Sequence, residues 1–450
     1  MRLIYILVTF PSIVLGVNVR VDPLVNIEQG LVRGQRATDG AYSVFLGIPY
    51  AQVDLTDPFG VSALYLNVHL ILFQSHMTKR KRGSARSKDF NSIVKNGIVL
   101  VTINYRLGPY GFMCLDVPSV AGNRGLKDQY EALKWVQKNI RAFGGNPNDV
   151  TLEGGSAGSC SVLLHLYSSK EKLYNKIIAE SGTPQNEGMF VNADTHAAIE
   201  IANYLGLNTN DTQDALNFLS DLPHELVIGV AKELNMQFRP CKERYFDGVD
   251  NIVEYDPYSL SNLNKIRNTP ILIGHTSKEE QHTCQNFYLG DEPISEDWTS
   301  IFDDFESDFL FNHSVQRMIT YLLKDSANPI FQYMYSYVGD SGAPGASHGS
   351  EVNFIYPGAE HIAAATEQDI LIINRITKLW SNFVKYGNPT PEVSDLLPIK
   401  WEPVTATTRP YLDINAELTL RSRVYQERMA FWDLFYSVYQ KNHVFLDGNH

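Results

Sequence analysis

The pentapeptide Gly154-Gly155-Ser156-Ala157-Gly158 has the spacing of a serine raised on a tight turn between a strand and a helix. A serine hydroxyl is a weak nucleophile by itself. It needs a base to take its proton and an acid to hold that base in the right tautomer. Glycine at 154 and 158 suits a turn where strand and helix pass too closely for side chains. The Ala157 N–H, at the start of the helix, would then point at a developing oxyanion. Two downstream stretches supply candidate partners in the order serine, acid, histidine: Lys278-Glu279-Glu280, just after Ile271–Gly274, and His348, within Gly345–Glu351. The chemistry these types could perform is acyl transfer, with no call for a metal or cofactor.

The flanking sequence carries elements able to hold such a site. Val150 and Leu152 read as a short buried strand before the serine, and Val162–Leu166 as the helix after it. Gly97–Tyr105 is a β-branched run expected to be a strand buried on both faces, and Leu126–Phe143 an amphipathic helix stopped at Gly144. Lys176–Glu180, Pro270–Gly274, Ile330–Tyr337 and Leu418–Arg423 read as further strands. His196–Leu205, Pro223–Leu234, Thr366–Tyr386 and Val424–Tyr439 read as helices. Leu24–Tyr50 reads as a small antiparallel meander, and Ala63–Leu72 as another strand region. Strands alternating with helices predict an α/β fold on a mostly parallel sheet.

Composition narrows the class. A net charge of −12 over 450 residues argues against nucleic acid as a partner. Met1–Gly16, with Arg2 before an apolar core, reads as a cleaved signal peptide, leaving 17–450 as one domain without a membrane anchor. Four cysteines permit bridges in a secreted protein: Cys241 and Cys284 are the expected pair, with Cys160 a buried small residue. Asn210 and Asn312 open glycosylation sequons, whereas Asn388 is followed by Pro389. The basic run Lys79-Arg80-Lys81-Arg82 reads as a solvated loop.

Longer motifs carry a family resemblance: GIPYA (Gly47–Ala51), LYLNV (Leu64–Val68), NYRLGPYGF (Asn104–Phe112), Gly122–Ile140, FGGNPNDVTL (Phe143–Leu152), ESG (Glu180–Gly182), GASHGSE (Gly345–Glu351), LPIKWEP (Leu397–Pro403) and ERMAFWD (Glu427–Asp433). In order and almost end to end, the chain resembles the type-B carboxylesterases, the carboxylesterase and cholinesterase group of α/β-hydrolases, and their secreted insect members above all. The resemblance implies an α/β-hydrolase fold, a mostly parallel central sheet with helices on both faces. It implies Ser156 as nucleophile, Glu279 rather than Glu280 as acid, His348 as base, and Ala157 as one oxyanion donor. The substrate would be a small to medium apolar carboxylic ester.

The departures from the pattern matter as much. Ser62-Ala63 stands where the family has the second cysteine of its first disulfide. Ile71–Met77 contains no glycine, where the family has a strand ending in His-Gly-Gly or Tyr-Gly-Gly whose N–H groups form most of the oxyanion hole. A further shortening falls between Cys284 and Phe311. Losing one oxyanion donor costs about 10²–10³ in kcat. The expected function is therefore a secreted serine esterase with an impaired oxyanion hole. The alternative is an inactive ligand-binding or adhesion protein of the same fold.

Overall fold

Residues 177–179 and 271–273 are apolar on both sides of the chain, and the fold uses both sides. In the computed structural model, which describes residues 22–36, 42–51, 58–59, 66–68, 73–75, 90–257, 262–279 and 299–439, these runs are central strands of a seven-stranded sheet. Among the described residues six small strands precede the sheet: β1 Leu24–Ile27, β2 Gly30–Arg33, β3 Gln35–Arg36, β4 Ser43–Val44, β5 Ile48–Ala51 and β6 Leu66–Val68. They pair as antiparallel ribbons β1–β2, β3–β4 and β5–β6. The sheet comprises β7 Phe73–Ser75, β8 Thr151–Ser156, β9 Lys176–Glu180, β10 Ile271–Thr276, β11 Ile330–Tyr335, β12 Pro410–Ile414 and β13 Leu418–Ser422. Its order is β13-β12-β11-β10-β9-β8-β7, parallel throughout except for β13.

Successive residues of a strand point to opposite faces, and the core divides accordingly. Ile177, Ala179, Ile271 and Ile273 pack with the helices Arg124–Asn139, Ala157–Tyr167 and His313–Lys324 on one face. Ile178, Leu272, Phe331 and Tyr333 pack on the other with Ile372, Ile376, Leu379, Trp380 and Phe383 of the long helix Glu367–Tyr386. That helix begins in a Thr366/Asp369 capping box and ends at Gly387, whose φ is 63°. A satellite cluster joins Met113 and Leu115 to helices Ala197–Tyr204, Thr212–Ser220 and His224–Glu233. Among the described residues no helix is long and apolar enough to cross a membrane.

Several expectations need correction. Gly97–Tyr105 is buried at Leu100 and Val101 but belongs to no strand among the described residues. An apolar run reports burial, and burial alone supplies no ladder partner. Cys241 bonds to Cys114, not to Cys284, which lies outside the described residues. Gly122 sits against that bridge, and a Cβ there would lie 2.6 Å from Cys241 Sγ. Cys160 is free and buried, as read from the sequence. Asn312 is fully buried, and its amide donates to Asp308 Oδ1 at 2.7 Å, so the folded chain leaves no access for a glycan. Asn210 is exposed. The signal peptide at 1–16, His76, the basic run at 79–82 and Glu280 also lie outside the described residues.

Candidate active site

Ser156 ends β8 and the helix Ala157–Tyr167 starts immediately after it, so the chain must reverse within one residue. The serine takes the turn itself, with φ 58° and ψ −123°, a conformation L-residues avoid at a cost of about 1–3 kcal/mol. Its surroundings hold it there. A Cβ on Gly154 would lie 2.4 Å from the backbone C and O of Gly158, which explains why strand and helix need glycine at their closest approach. A Cβ on Gly182, just after β9, would lie 2.5 Å from Ser156 O. The helix is stitched to the same loop: Ser159 Oγ donates to Gly182 O at 2.5 Å, and Cys160 Sγ to Thr183 O at 3.0 Å. Ala157 is the first helical residue, half-buried beside the half-buried serine.

Glu279 and His348 arrive on loops beyond neighbouring parallel strands, β10 and β11. The pairing of those strands continues past their ends, through Ser277 N–H to Tyr335 O at 2.8 Å and Lys278 N–H to Ala346 O at 2.9 Å. Lys278 and Ser347 form a parallel bridge, and Ser277 Oγ accepts from Ala346 N–H at 2.9 Å. This zipper brings Glu279 Oε2 into a hydrogen bond with His348 Nδ1. The other carboxylate oxygen, Oε1, accepts from Thr276 N–H at 2.7 Å. Burial raises the Glu279 pKa, but the charge and hydrogen bond of His348 outweigh it and hold the carboxyl below its ordinary value. An ionised acid fixed on Nδ1 sets the imidazole tautomer that leaves Nε2 able to accept a proton. Phe311 packs beside the imidazole, with ring centroids 4.9 Å apart.

Behind the serine lies a set of buried acids that the sequence did not single out. Glu153 accepts from Tyr356 Oη at 2.7 Å, Glu180 from Trp380 Nε1 at 2.8 Å, and Glu351 from Ser181 Oγ at 3.3 Å. Burial pushes Glu153 up to about 8 against the lowering effect of Tyr356. Burial, then the neighbouring charges of Glu153 and Glu351, raises Glu180 well above the ordinary range. Gly182 and Glu351 sit within ESG and HGSE, but their contacts join different strands, so nothing local marks their roles. No group of residues among those described forms a metal cluster.

On the other side of the elbow, β7 pairs in parallel with β8, placing Phe73 opposite Gly154, Gln74 opposite Gly155 and Ser75 opposite Ser156. The backbone beside Ser156 is therefore Phe-Gln-Ser, without glycine.

A parallel sheet carrying a strand–serine–helix elbow, with a histidine and an acid on later loops, defines an α/β-hydrolase. The crystal structure of juvenile hormone esterase from Manduca sexta, with OTFP covalently attached, shares the fold: TM-score 0.79 at 20% identity, covering 93% of this chain and 100% of that one. A profile of the Carboxylesterase family matches residues 71–295 and 280–432, and the chain belongs to that family of carboxylic ester hydrolases. Esterase FE4 of Myzus persicae is 27% identical over 417 residues, covering 77% of this chain and 71% of its own. Juvenile hormone esterase of Heliothis virescens is 27% identical over 409 residues (77% and 72%). Human carboxylesterase 5A is 26% identical over 433 residues (83% and 74%).

Proposed function

We propose that the chain is a secreted serine esterase that cleaves small apolar carboxylic esters through an acyl-enzyme, using Ser156, His348 and Glu279. The observation that carries this reading is the Glu279–His348 hydrogen bond, made by a buried carboxylate on loops beyond the C-terminal ends of β10 and β11, the same end of the parallel sheet at which β8 turns at Ser156. His348 takes the Ser156 proton as the hydroxyl attacks the ester carbonyl, then returns it to the leaving alcohol. Water, activated by the same histidine, releases the acid. Ala157 N–H is the assigned oxyanion donor. The Cys114–Cys241 bridge supports an oxidising compartment, and exposed Asn210 supports glycosylation at that sequon. The 17–450 segment acts as one domain behind its signal peptide.

The absence of glycine in 73–75 supports an impaired oxyanion hole, because side chains hinder the close backbone approach that such a hole requires. Turnover is then weak on activated aryl esters and nearly absent on alkyl esters. Inserting a His-Gly-Gly-Gly segment between Val68 and Gly83 raises kcat by about 10². Ordinary esterase rates on an alkyl acetate would show the hole to be intact. The reading as a whole is tested with a fluorophosphonate probe: the chain is labelled at Ser156, and Ser156→Ala is not. An unlabelled wild-type chain favours the inactive binding protein, and labelling that survives Ser156→Ala means another nucleophile.

A further inference from the structure

Beside the acid–base loops runs a line of alternating charges that the proposed chemistry does not use. Lys278, between Ser277 and the acid, has its ammonium 2.7 Å from Asp304 Oδ1 on helix Thr299–Ser307. Asp304 Oδ2 in turn lies 2.9 Å from Arg428 Nη1, on the helix Gln426–Tyr439 near the C-terminus. Arg428 also donates from Nη2 to Asp308 Oδ1 at 2.8 Å. The carboxylate of Asp308 is fully buried. Although burial lowers the Arg428 pKa, Asp308 and Asp304 together hold it above its ordinary value. The guanidinium lies 3.9 Å from the centre of the Tyr425 ring. The Tyr425 hydroxyl, for its part, donates to Ser277 O at 3.2 Å. The late helix and Tyr425 just before it thus reach the acid loop by two routes, one through charge and one through a hydrogen bond.

Lys278 is the point where this ladder meets both loops. Its N–H holds Ala346 O, and its aliphatic stem lies over the histidine loop so closely that a Cβ on Gly345 would be 2.4 Å from Lys278 Cγ. The backbone of Lys278 therefore sets the register between the Glu279 and His348 loops, while its side chain is pulled outward to Asp304. The ion pair is mostly shielded, with side-chain exposure of 11% for Lys278 and 31% for Asp304. An attraction of this kind is screened less than a fully exposed pair.

We propose that Lys278 is a positioning residue, anchored through Asp304 to Arg428, that keeps the Glu279 and His348 loops in the register in which the imidazole stays on its carboxylate. The inference rests on the serine-esterase reading for its kinetic consequence and on geometry alone for its structural one. With the anchor cut, the loops relax relative to each other, and a misplacement of about 1 Å in a catalytic group costs on the order of 10²-fold.

The test compares wild type, Lys278→Met, Lys278→Arg and Asp304→Asn in the full chain. Two readouts are used: kcat and KM on an aryl acetate, and the low-field proton resonance of the His348 Nδ1–H bond to Glu279. Lys278→Met should lower kcat by about 10- to 100-fold with KM unchanged and weaken or broaden that resonance. Lys278→Arg, which keeps charge and reach, should restore both. Asp304→Asn should reproduce the loss without adding to it in the double variant, and it serves alone if Lys278→Met does not fold. Unchanged kcat and resonance in Lys278→Met, or equal losses in Met and Arg variants, overturn the proposal. If wild type hydrolyses nothing, the esterase reading fails, and the resonance still decides the anchor: lost in Lys278→Met, it supports the proposal; retained, it refutes it.

Discussion

Three glycines around the elbow differ in what a methyl group would meet, and the difference ranks their alanine variants. At Gly182 the added Cβ would lie 2.5 Å from Ser156 O and 3.0 Å from Ser156 C. Both are backbone atoms of Ser156, so no side chain can swing away. Ordinary contact is restored only if the Ser156 peptide retreats by roughly 1 Å, a displacement worth on the order of 10²-fold in rate. The overpacking costs about 1–3 kcal/mol of stability as well. At Gly154 the clash is with the backbone of Gly158 and Ser159, at 2.4 and 2.9 Å, and a comparable loss follows. At Gly155 the nearest atom is Glu180 Oε2 at 3.6 Å, an ordinary contact. Gly155→Ala should therefore keep its kcat and thermal midpoint, while Gly182→Ala and Gly154→Ala lose both. The assay is steady-state kcat on an aryl acetate beside thermal unfolding of each variant. Equal activity in Gly182→Ala and Gly155→Ala would refute the argument that the loop after β9 braces the serine.

Glu279→Gln keeps the shape of the acid but removes its charge, so kcat should drop by up to about 10⁴, whereas Glu280→Gln should change little; the reverse ranking moves the acid by one residue. Glu153 is held at about 8 in the fold against an ordinary 4.5. The fold favours its neutral form, so its stabilisation is complete below about pH 4.5 and drains away as pH rises toward 8. Glu153→Gln should flatten the alkaline fall of the thermal midpoint, and an unchanged pH dependence would count against a neutral buried acid. The Cys114–Cys241 bridge closes a loop with a sequence separation of 127. Replacing both cysteines by serine should cost about 4–5 kcal/mol in denaturant unfolding without changing the pH optimum of activity.

The residue sequence by itself determined the features whose causes are local. Glycine at 154 and 158 around Ser156 is a steric requirement of the turn, legible because only glycine tolerates such an approach. Lys176–Glu180 and the strand beginning at Ile271 were legible because an apolar run on both faces demands a doubly covered sheet. Thr366–Tyr386 was legible as a long helix from its amphipathic pattern, and the structure adds the Thr366 side chain that caps its first turn. Tertiary structure alone decided which residues meet across long separations. Cys241 pairs with Cys114 because Gly122 leaves room for their sulfurs, a fact without trace in cysteine spacing. Asn312 carries a sequon but is buried within a helical segment, since a tripeptide does not encode which face a helix turns to the core. The same limit applies to Gly97–Tyr105, where apolar content specified burial and not a ladder. Glu279 meets His348 because β10 and β11 lie side by side in parallel, and Lys278 reaches Asp304 because the helix Thr299–Ser307 sets that carboxylate beside the loop after β10. Local sterics and periodicity are written into neighbouring residues; partner choice depends on strand order and helix placement, which only the whole folded chain specifies.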